Sequence, residues 1–267
     1  MTNPPGGSTP TTVSPSPATA TTRIPTGAFT IAKSWPVSYS HWVPAASGRR
    51  WCGHNADVAL VLTADQLDPV GMVWDYGQLG PVKDLLERTV DHRHLDDVVG
   101  GPPAPCDRTA LQLTGFVYEQ LVTDPDLPFR SLVHDVRVVD AWPDRLPPAW
   151  QGVAGPWRFH AAHRLDGLPE GHQCGRWHGH GYEGGAQVDQ GQALDAAGAL
   201  RLLQPAEAFV RTRLHQHSLN EVLGGLNPTA EHLARFLYHQ FTDNLGIRGI
   251  TRVLIAETPK TLAEYRP

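Results

Sequence analysis

The stretch CGRWHGH at residues 174–180 has a near copy, GRRWCGH, at residues 48–54. The segments around the two stretches also follow one another in the same order. A short segment with aromatic residues and histidine precedes each stretch, and apolar segments follow each at similar spacings. Self-similarity of this kind indicates a duplicated structural unit. We therefore divide the chain into a Pro/Thr/Ser-rich tail at 1–27, a first domain at 28–150, a linker at 151–156 and a second domain at 157–267.

The composition sets limits on the class of protein. Apolar residues make up 40% of the 267 residues, which supports a buried core, and the formal net charge of -5 argues against nucleic-acid or membrane-surface partners. No apolar run approaches the ~20 residues of a membrane span. The three cysteines indicate a reducing compartment, and the tail lacks the basic and apolar regions of a signal peptide. These features predict a cytoplasmic protein with a disordered N-terminal tail.

Each domain shows the pattern β-β-α-α-β-β. VSYSHWV (37–43), HNADVALVL (54–62) and RFHAAHRL (158–165) are short and apolar or alternating, which is typical of strands. VKDLLERTV (82–90), TALQLTGFVYEQL (109–121) and AEAFVRTRL (206–214) have apolar residues at helical spacing. The sequence therefore predicts two consecutive α+β domains.

Histidines in the second domain have the spacing of a metal site. His178 and His180 are two residues apart, so a strand would point both imidazoles to the same face. His163 lies on the preceding predicted strand, where a hairpin would bring it alongside. Three imidazoles without a fourth protein ligand are typical of an open, catalytic zinc site, whereas the spacing of His178 and His180 taken alone favours a polar strand end without a metal.

The first domain has a changed version of this pattern. His41, Cys52 and His54 stand at the corresponding positions, and thiolate is a good zinc ligand. Cys52 is alternatively a small buried core residue. The third cysteine, Cys106, lies in a predicted loop without an evident partner.

The motif AAHRL…PEGHQCGRWHGH…AETP resembles the family of 6-pyruvoyl- and 6-carboxy-tetrahydropterin synthases. The resemblance implies two tandem T-fold domains, each an antiparallel sheet with two helices on one face. It assigns zinc to His163, His178 and His180, the catalytic thiol to Cys174, and the carboxylate that anchors the pterin ring to Glu257. A thiol near a cation has a lowered pKa and can transfer a proton.

The resemblance implies a zinc-dependent lyase acting on 7,8-dihydroneopterin triphosphate. PEGHQCGRWHGH is most similar to the 6-carboxy branch, which releases acetaldehyde and triphosphate and leads to queuosine and other 7-deazapurines. The alternatives are 6-pyruvoyl-tetrahydropterin synthase and a non-catalytic subunit that binds a pterin or a partner. Such domains form barrels, so we expect a homo-oligomer and favour a trimer of tandem chains in two stacked rings.

The two domains retain different parts of the family motif. The first has the Asp91-His92 pair in VDHRHLDD, where the second has His215 and Gln216. The second has Cys174, where the first has Gly48. An Asp beside a His suits a proton relay. We therefore predict that Asp91 and His92 of a neighbouring first domain complete the site around Cys174.

Other residues carry weaker assignments. Thr229 is predicted to cap a helix or to contact the pterin, and Arg164 and Arg176 to meet the triphosphate or to lie on the surface. Asp75 in WDYG is predicted to cap the following helix. Trp51 and Trp177 are predicted to lie in the core.

Overall fold

A computed structural model describes residues 27–140, 150, 152–189 and 196–267. The strands are β1 (Phe29–Ala45), β2 (Gly48–Ala64), β3 (Arg93–His94), β4 (Val133–Asp140), β5 (Ala154–His163), β6 (His178–Val188), β7 (Ile250–Thr258) and β8 (Thr261–Tyr265). The helices are α1 (Gly80–Thr89), α2 (Leu95–Val99), α3 (Cys106–Thr123), α4 (Ala196–Leu202), α5 (Gln204–Arg213), α6 (Leu219–Val222) and α7 (Ala230–His239).

One antiparallel sheet runs through both domains in the order β4-β2-β1-β8-β7-β6-β5, with the short β3 beside β1. Alternate residues of the strands are buried; in β2 these include Ala56, Val58, Leu60 and Leu62. They pack into one apolar cluster with helix residues such as Leu113 of α3. This alternation arises because successive strand residues point to opposite faces, and it confirms the predicted α+β class.

The second domain has the complete order β-β-α-α-β-β. Its major helices α5 and α7 stand where the sequence predicts them. Thr229 caps α7, since its hydroxyl accepts a hydrogen bond from the His232 amide at 3.2 Å. In the first domain, β1, β2, α1, α3 and β4 are described, and the last strand of the predicted pattern falls outside the described residues.

The second domain begins earlier in the chain than the sequence predicts. The predicted linker was too long, because Ala154–Pro156 already belong to β5. The Gly-Pro pair is accommodated there because the register between β5 and β6 shifts between Ala154 and Trp157. Gly185 lies opposite this bulge, and a Cβ on it would come within 2.6 Å of the Val153 side chain. The sheet is therefore irregular beside Gly184 and Gly185. The predicted tail lies outside the described residues except for Gly27.

The two domains join through β8 and β1. These strands pair from Phe29 with Tyr265 to Lys33 with Thr261, and the rings of Phe29 and Tyr265 lie 5.2 Å apart. The Tyr76 hydroxyl of the first domain donates to the Leu262 carbonyl of the second at 2.8 Å. Residues that follow β2 are thereby held against the second domain.

No helix in the described ranges has the length and apolar character needed to cross a membrane.

Candidate active site

The end of the β5–β6 hairpin brings three imidazoles together. His163, the last residue of β5, pairs with His178, the first residue of β6, and His180 lies two residues further along β6. One ligand atom from each histidine lies within 4.8 Å of the others. The predicted cluster is confirmed as a spatial group, and the reason is the strand register combined with the two-residue period.

The hydrogen bonds of His163 and His178 leave Nε2 of each ring available to a metal ion. Nδ1 of His163 lies 2.8 Å from the Pro228 carbonyl, and Nδ1 of His178 lies 2.7 Å from the Arg176 carbonyl. A carbonyl only accepts, so both Nδ1 atoms carry the proton and both Nε2 atoms carry a lone pair. Nε2 of His163 is buried without a hydrogen-bond partner among the described residues. An unpartnered acceptor in this position fits a metal ligand whose other nitrogen is oriented by a carbonyl.

The electrostatics also favour neutral imidazoles. Burial lowers the pKa of His163 to about 4; the Pro228 carbonyl opposes this effect, and His178 and His180 each add a smaller lowering. Burial and then His178 lower the pKa of His180. Neutral imidazole is the form that binds a metal.

A cavity of about 610 Å³ opens beside this cluster. This volume suits a small-molecule ligand. Both domains line the cavity. The first contributes Met72, Trp74, Asp75, Tyr76 and Gly77, and the second contributes the histidine cluster together with Cys174, Arg176, Trp177, Thr229, Glu231 and Glu257.

Cys174 is held by a chain of contacts that begins in the first domain. Its amide donates to Nδ1 of His172 at 3.2 Å, and Nε2 of His172 lies 3.2 Å from Oδ2 of Asp75. Oδ1 of Asp75 accepts from the Gly77 amide at 2.7 Å, which confirms the predicted cap. Asp75 therefore caps its own turn and orients the loop that carries the thiol. Burial, and then Glu257 and Asp75, raise the pKa of Cys174, so these protein groups oppose the lowering expected near a cation.

Two carboxylates line the cavity near Cys174. Glu231 is buried, and one of its oxygens accepts from the Val73 amide at 3.0 Å. Glu257 is half-buried at the end of β7. Burial, and then Glu231, raise the pKa of Glu257 to about 8. The cavity therefore has acceptors suited to N–H groups of a ligand.

The raised pKa of Glu257 predicts a pH-dependent stability. The folded protein binds this proton with a pKa of about 8, whereas the ordinary value is 4.5. Unfolding then releases the proton between these values, so the free energy of unfolding falls as pH rises through this window, by on the order of a few kcal/mol. Glu257→Gln removes this loss, and urea unfolding should show it to be more stable than the wild type near pH 8 but not near pH 4.5.

The matched control for this measurement is Glu119→Gln on the exposed side of α3. It removes one carboxylate outside the cavity. If Glu257→Gln and the wild type keep the same stability difference at both pH values, Glu257 does not hold its proton in the folded protein.

The other assigned residues divide between the cavity and the surface. Arg176 lines the cavity, whereas Arg164 is not among the lining residues. The Arg164 guanidinium lies 5.5 Å from the centre of the Trp177 ring and 3.5 Å from Asp166. The Thr229 hydroxyl donates to the Gly71 carbonyl at 2.7 Å. The expectation that Trp51 and Trp177 lie in the core is wrong, since they are 64% and 58% exposed, and Trp177 stands at the cavity.

Asp91 and His92 form a pair, but they are not among the residues that line this cavity. Oδ2 of Asp91 lies 2.9 Å from Nδ1 of His92, whose side chain is 79% exposed. The Ser38 amide, and then His92, lower the pKa of Asp91, against a smaller effect of burial.

The second domain repeats the backbone of this turn without the pair. His92 and Gln216 both have a positive φ. The His92 amide donates to the Ser38 carbonyl and the Gln216 amide to the His160 carbonyl, each at 2.6 Å. His215 and Gln216 therefore occupy the places of Asp91 and His92, as the sequence predicts.

The first domain lacks the loop that carries the thiol. Its β1–β2 hairpin continues as paired strand beyond His41 and Cys52 as far as Ala45 and Gly48. In the second domain, the corresponding residues 164–177 leave the sheet and form the loop with Cys174.

Comparison with known proteins identifies the family of both domains. The model of the 6-pyruvoyl tetrahydropterin synthase family matches residues 30–139 and again residues 156–267. The chain belongs to the 6-pyruvoyl tetrahydropterin synthase family. It consists of two tandem T-fold domains of that family.

Several relatives are similar to parts of this tandem family member. A 6-carboxy-5,6,7,8-tetrahydropterin synthase of Synechocystis is 30% identical over 117 residues, which cover 40% of this chain and 86% of the relative. Among solved structures, the Caenorhabditis elegans 6-pyruvoyl tetrahydropterin synthase is 19% identical, with a TM-score of 0.32 over 45% of this chain and 99% of its own. An uncharacterized protein of Wolinella succinogenes is also 19% identical, with a TM-score of 0.23 over 90% of this chain and 98% of its own.

Proposed function

We propose that this chain is a zinc-dependent lyase that converts 7,8-dihydroneopterin triphosphate to 6-carboxy-5,6,7,8-tetrahydropterin, with loss of acetaldehyde and triphosphate. The observation that carries the proposal is one cavity that unites the three-histidine cluster, Cys174 and Glu257. The 6-carboxy outcome is supported by the Synechocystis relative of that name. The product would serve the biosynthesis of queuosine or another 7-deazapurine.

His163, His178 and His180 are the proposed zinc ligands. The three residues suit an ion with an open coordination position, because no fourth histidine, cysteine or carboxylate among the described residues joins the group. A zinc ion bound there would act as a Lewis acid on side-chain oxygens of the substrate and acidify adjacent C–H bonds.

Glu257 is the proposed anchor of the pterin ring. A carboxylate accepts two N–H bonds from an amino-pyrimidine edge in a charge-assisted arrangement. Burial and Glu231 raise its pKa, and no hydrogen-bond donor among the described residues offsets them, so a ligand that supplies N–H donors would stabilise the ionised form. Glu231 is already bound by the Val73 amide and supports the wall of the cavity. Thr229 fixes the start of α7 in that wall, and Arg176 is the cavity residue with the right charge for the triphosphate.

Cys174 is the proposed proton-transferring group on one side of the substrate. The Asp75–His172 contact fixes the backbone of its turn. The first domain thus participates in the site of the second within the same chain, through the WDYG loop.

Asp75→Asn tests this contribution. An asparagine keeps one oxygen to accept from Gly77 and therefore preserves the cap, but its NH2 group cannot accept from His172. We expect kcat to fall roughly tenfold, because a small displacement of the catalytic group is costly, while zinc content and the thermal unfolding midpoint stay near the wild-type values.

The matched control for Asp75→Asn is Asp68→Asn, an aspartate in the same segment that accepts from the amides of Val70, Gly71 and Met72 and does not line the cavity. A kcat unchanged by Asp75→Asn would remove Asp75 from the machinery that positions Cys174.

Asp91 and His92 are proposed to act from a neighbouring chain. Asp91 and His92 do not line the cavity of their own chain, which supports their action in the cavity of another chain. A neighbouring chain is also expected from the sheet, because no described strand pairs with the outer edge of β5.

The strand order bears on the expected trimer. Since β8 pairs with β1, both domains of a chain lie side by side in one sheet. Two rings of three domains each would require one chain to place its two domains in different rings. We therefore propose rings of whole chains instead of two stacked three-domain rings. Three chains would then form a single ring of six domains, and two chains a ring of four.

Two other functions use the same cavity. A 6-pyruvoyl-tetrahydropterin synthase would need the same zinc ligands, thiol and anchor, and product analysis separates the two reactions. A non-catalytic pterin-binding subunit is favoured by one observation, the separation of Cys174 from the Asp91-His92 pair within the chain. Turnover by the purified chain alone distinguishes this alternative.

A further inference from the structure

A second group of metal-ligating side chains lies in the first domain, outside the cavity described above. It consists of His41 on β1, Cys52 and His54 on β2, and Cys106 at the first residue of α3. One ligand atom from each lies within 4.8 Å of the other three. The sequence places Cys106 in a loop without an evident partner; the structure corrects this, since its Sγ lies 3.4 Å from Sγ of Cys52.

Three of the six distances within the group are close to the edge lengths of a coordination tetrahedron, and all six are below 4.8 Å. With Zn–N distances of about 2.0–2.1 Å and Zn–S distances of about 2.3 Å, neighbouring tetrahedral ligands lie about 3.3–3.8 Å apart. Nε2 of His41 lies 3.1 Å from Nε2 of His54, and Sγ of Cys52 lies 3.3 Å from Nε2 of His54. Each separation is within a few tenths of an ångström of the value for a bound zinc ion.

The surroundings orient His41 as a ligand. The residue is fully buried, and its Nδ1 lies 3.2 Å from the Trp42 carbonyl and 3.0 Å from the Thr109 hydroxyl. Because the carbonyl only accepts, Nδ1 carries the proton and Nε2 presents its lone pair to the group.

The fourth ligand distinguishes this group from the one in the second domain. Thr109-Ala110 and Thr229-Ala230 are matching positions of the two sequence repeats, so Leu226 corresponds to Cys106, and a leucine side chain cannot bind a metal. Two thiolates also balance the charge of a divalent cation. Four protein ligands close the coordination sphere, which is the hallmark of structural rather than catalytic zinc.

We infer that the first domain holds a closed, structural zinc ion on His41, Cys52, His54 and Cys106. The ion would fasten the start of α3 to the β1–β2 hairpin, with both thiols losing their protons on binding. The first domain would then be a metal-stabilised scaffold that cannot bind substrate at this ion. This inference stands independently of the proposed reaction, because it concerns residues outside that cavity.

Metal analysis of the full chain tests the inference. Purified protein should contain about two zinc ions per chain, and His163→Ala/His178→Ala should leave about one. X-ray absorption of that remaining zinc should show two sulfur and two nitrogen ligands, with Zn–S distances of about 2.3 Å. Cys52→Ser/Cys106→Ser should also leave about one zinc ion, bound without sulfur, and should lower the thermal unfolding midpoint.

A measurement on unsubstituted protein covers the case in which the cysteine variant does not fold. Cobalt added to the chelated wild-type chain should give thiolate-to-cobalt charge transfer and the intense visible bands of tetrahedral coordination. The inference is overturned if His163→Ala/His178→Ala contains no zinc, if its zinc has no sulfur ligand, or if Cys52 and Cys106 are joined in a disulfide in the protein as purified.

Discussion

Replacing Cys174 with alanine should reduce turnover of 7,8-dihydroneopterin triphosphate by at least about 10²-fold, which is the lower end of the effect of a general acid–base group. The turn that carries the thiol is fixed by the Cys174 amide, which donates to His172, and an alanine retains that amide. The loss should therefore be chemical rather than structural. Steady-state kinetics on zinc-loaded protein measures it, with kcat reduced and zinc content unchanged.

Cys174→Ser serves as the matched variant, since it keeps the shape of the side chain and replaces the thiol with a far weaker acid. We expect it to be nearly as inactive as Cys174→Ala. Turnover within a few-fold of the wild type in both variants would contradict a role for this thiol in proton transfer.

The double change Asp91→Asn/His92→Gln should also abolish most turnover, although both residues lie away from the cavity of their own chain. Asparagine and glutamine keep the approximate size of the side chains and remove the carboxylate and the imidazole that form the 2.9 Å contact. The expected loss is at least about 10²-fold, again with unchanged zinc content.

Mixing two inactive variants tests whether the pair acts across chains. A Cys174→Ala chain still carries Asp91 and His92, and an Asp91→Asn/His92→Gln chain still carries Cys174. A site formed between two such chains is therefore intact. Random mixed oligomers in equal amounts should regain about a quarter of the wild-type activity. No recovery after subunit exchange would contradict action across chains. Full activity of the double variant alone would instead make His215 or His217 the local substitute.

The sequence was sufficient for features that depend on local periodicity. The two-residue period places His178 and His180 on one face, and the hairpin register sets His163 opposite His178. The duplication itself was visible because both copies keep the same order of strands and helices. Local rules therefore predicted the two domains and the three-histidine cluster.

Contacts that form when elements dock could not be read from the sequence. Asp75 was expected only to cap its own turn, yet it also contacts His172, 97 residues away in the chain. Cys106 reaches Cys52 because α3 begins above the β1–β2 hairpin, a relation that no local pattern encodes. Trp177 looked like a core residue from its apolar character, but it follows the thiol loop at the edge of the cavity and is exposed.

The same limit applied to the assembly. The resemblance implies two stacked rings of three domains, and the assembly stays a prediction; the pairing of β8 with β1 keeps both domains of a chain in one sheet. Edge-strand pairing is decided by which backbones meet, and the sequence of either strand alone does not specify its partner.

The most direct test of the central claim is a mass-spectrometric product analysis of purified, zinc-loaded full-length protein supplied with 7,8-dihydroneopterin triphosphate. The proposed lyase should form 6-carboxy-5,6,7,8-tetrahydropterin together with acetaldehyde and triphosphate. A 6-pyruvoyl product would keep the site and change the reaction. Unchanged substrate, with zinc confirmed on the protein, would contradict catalysis by this chain and leave the cavity as a binding site.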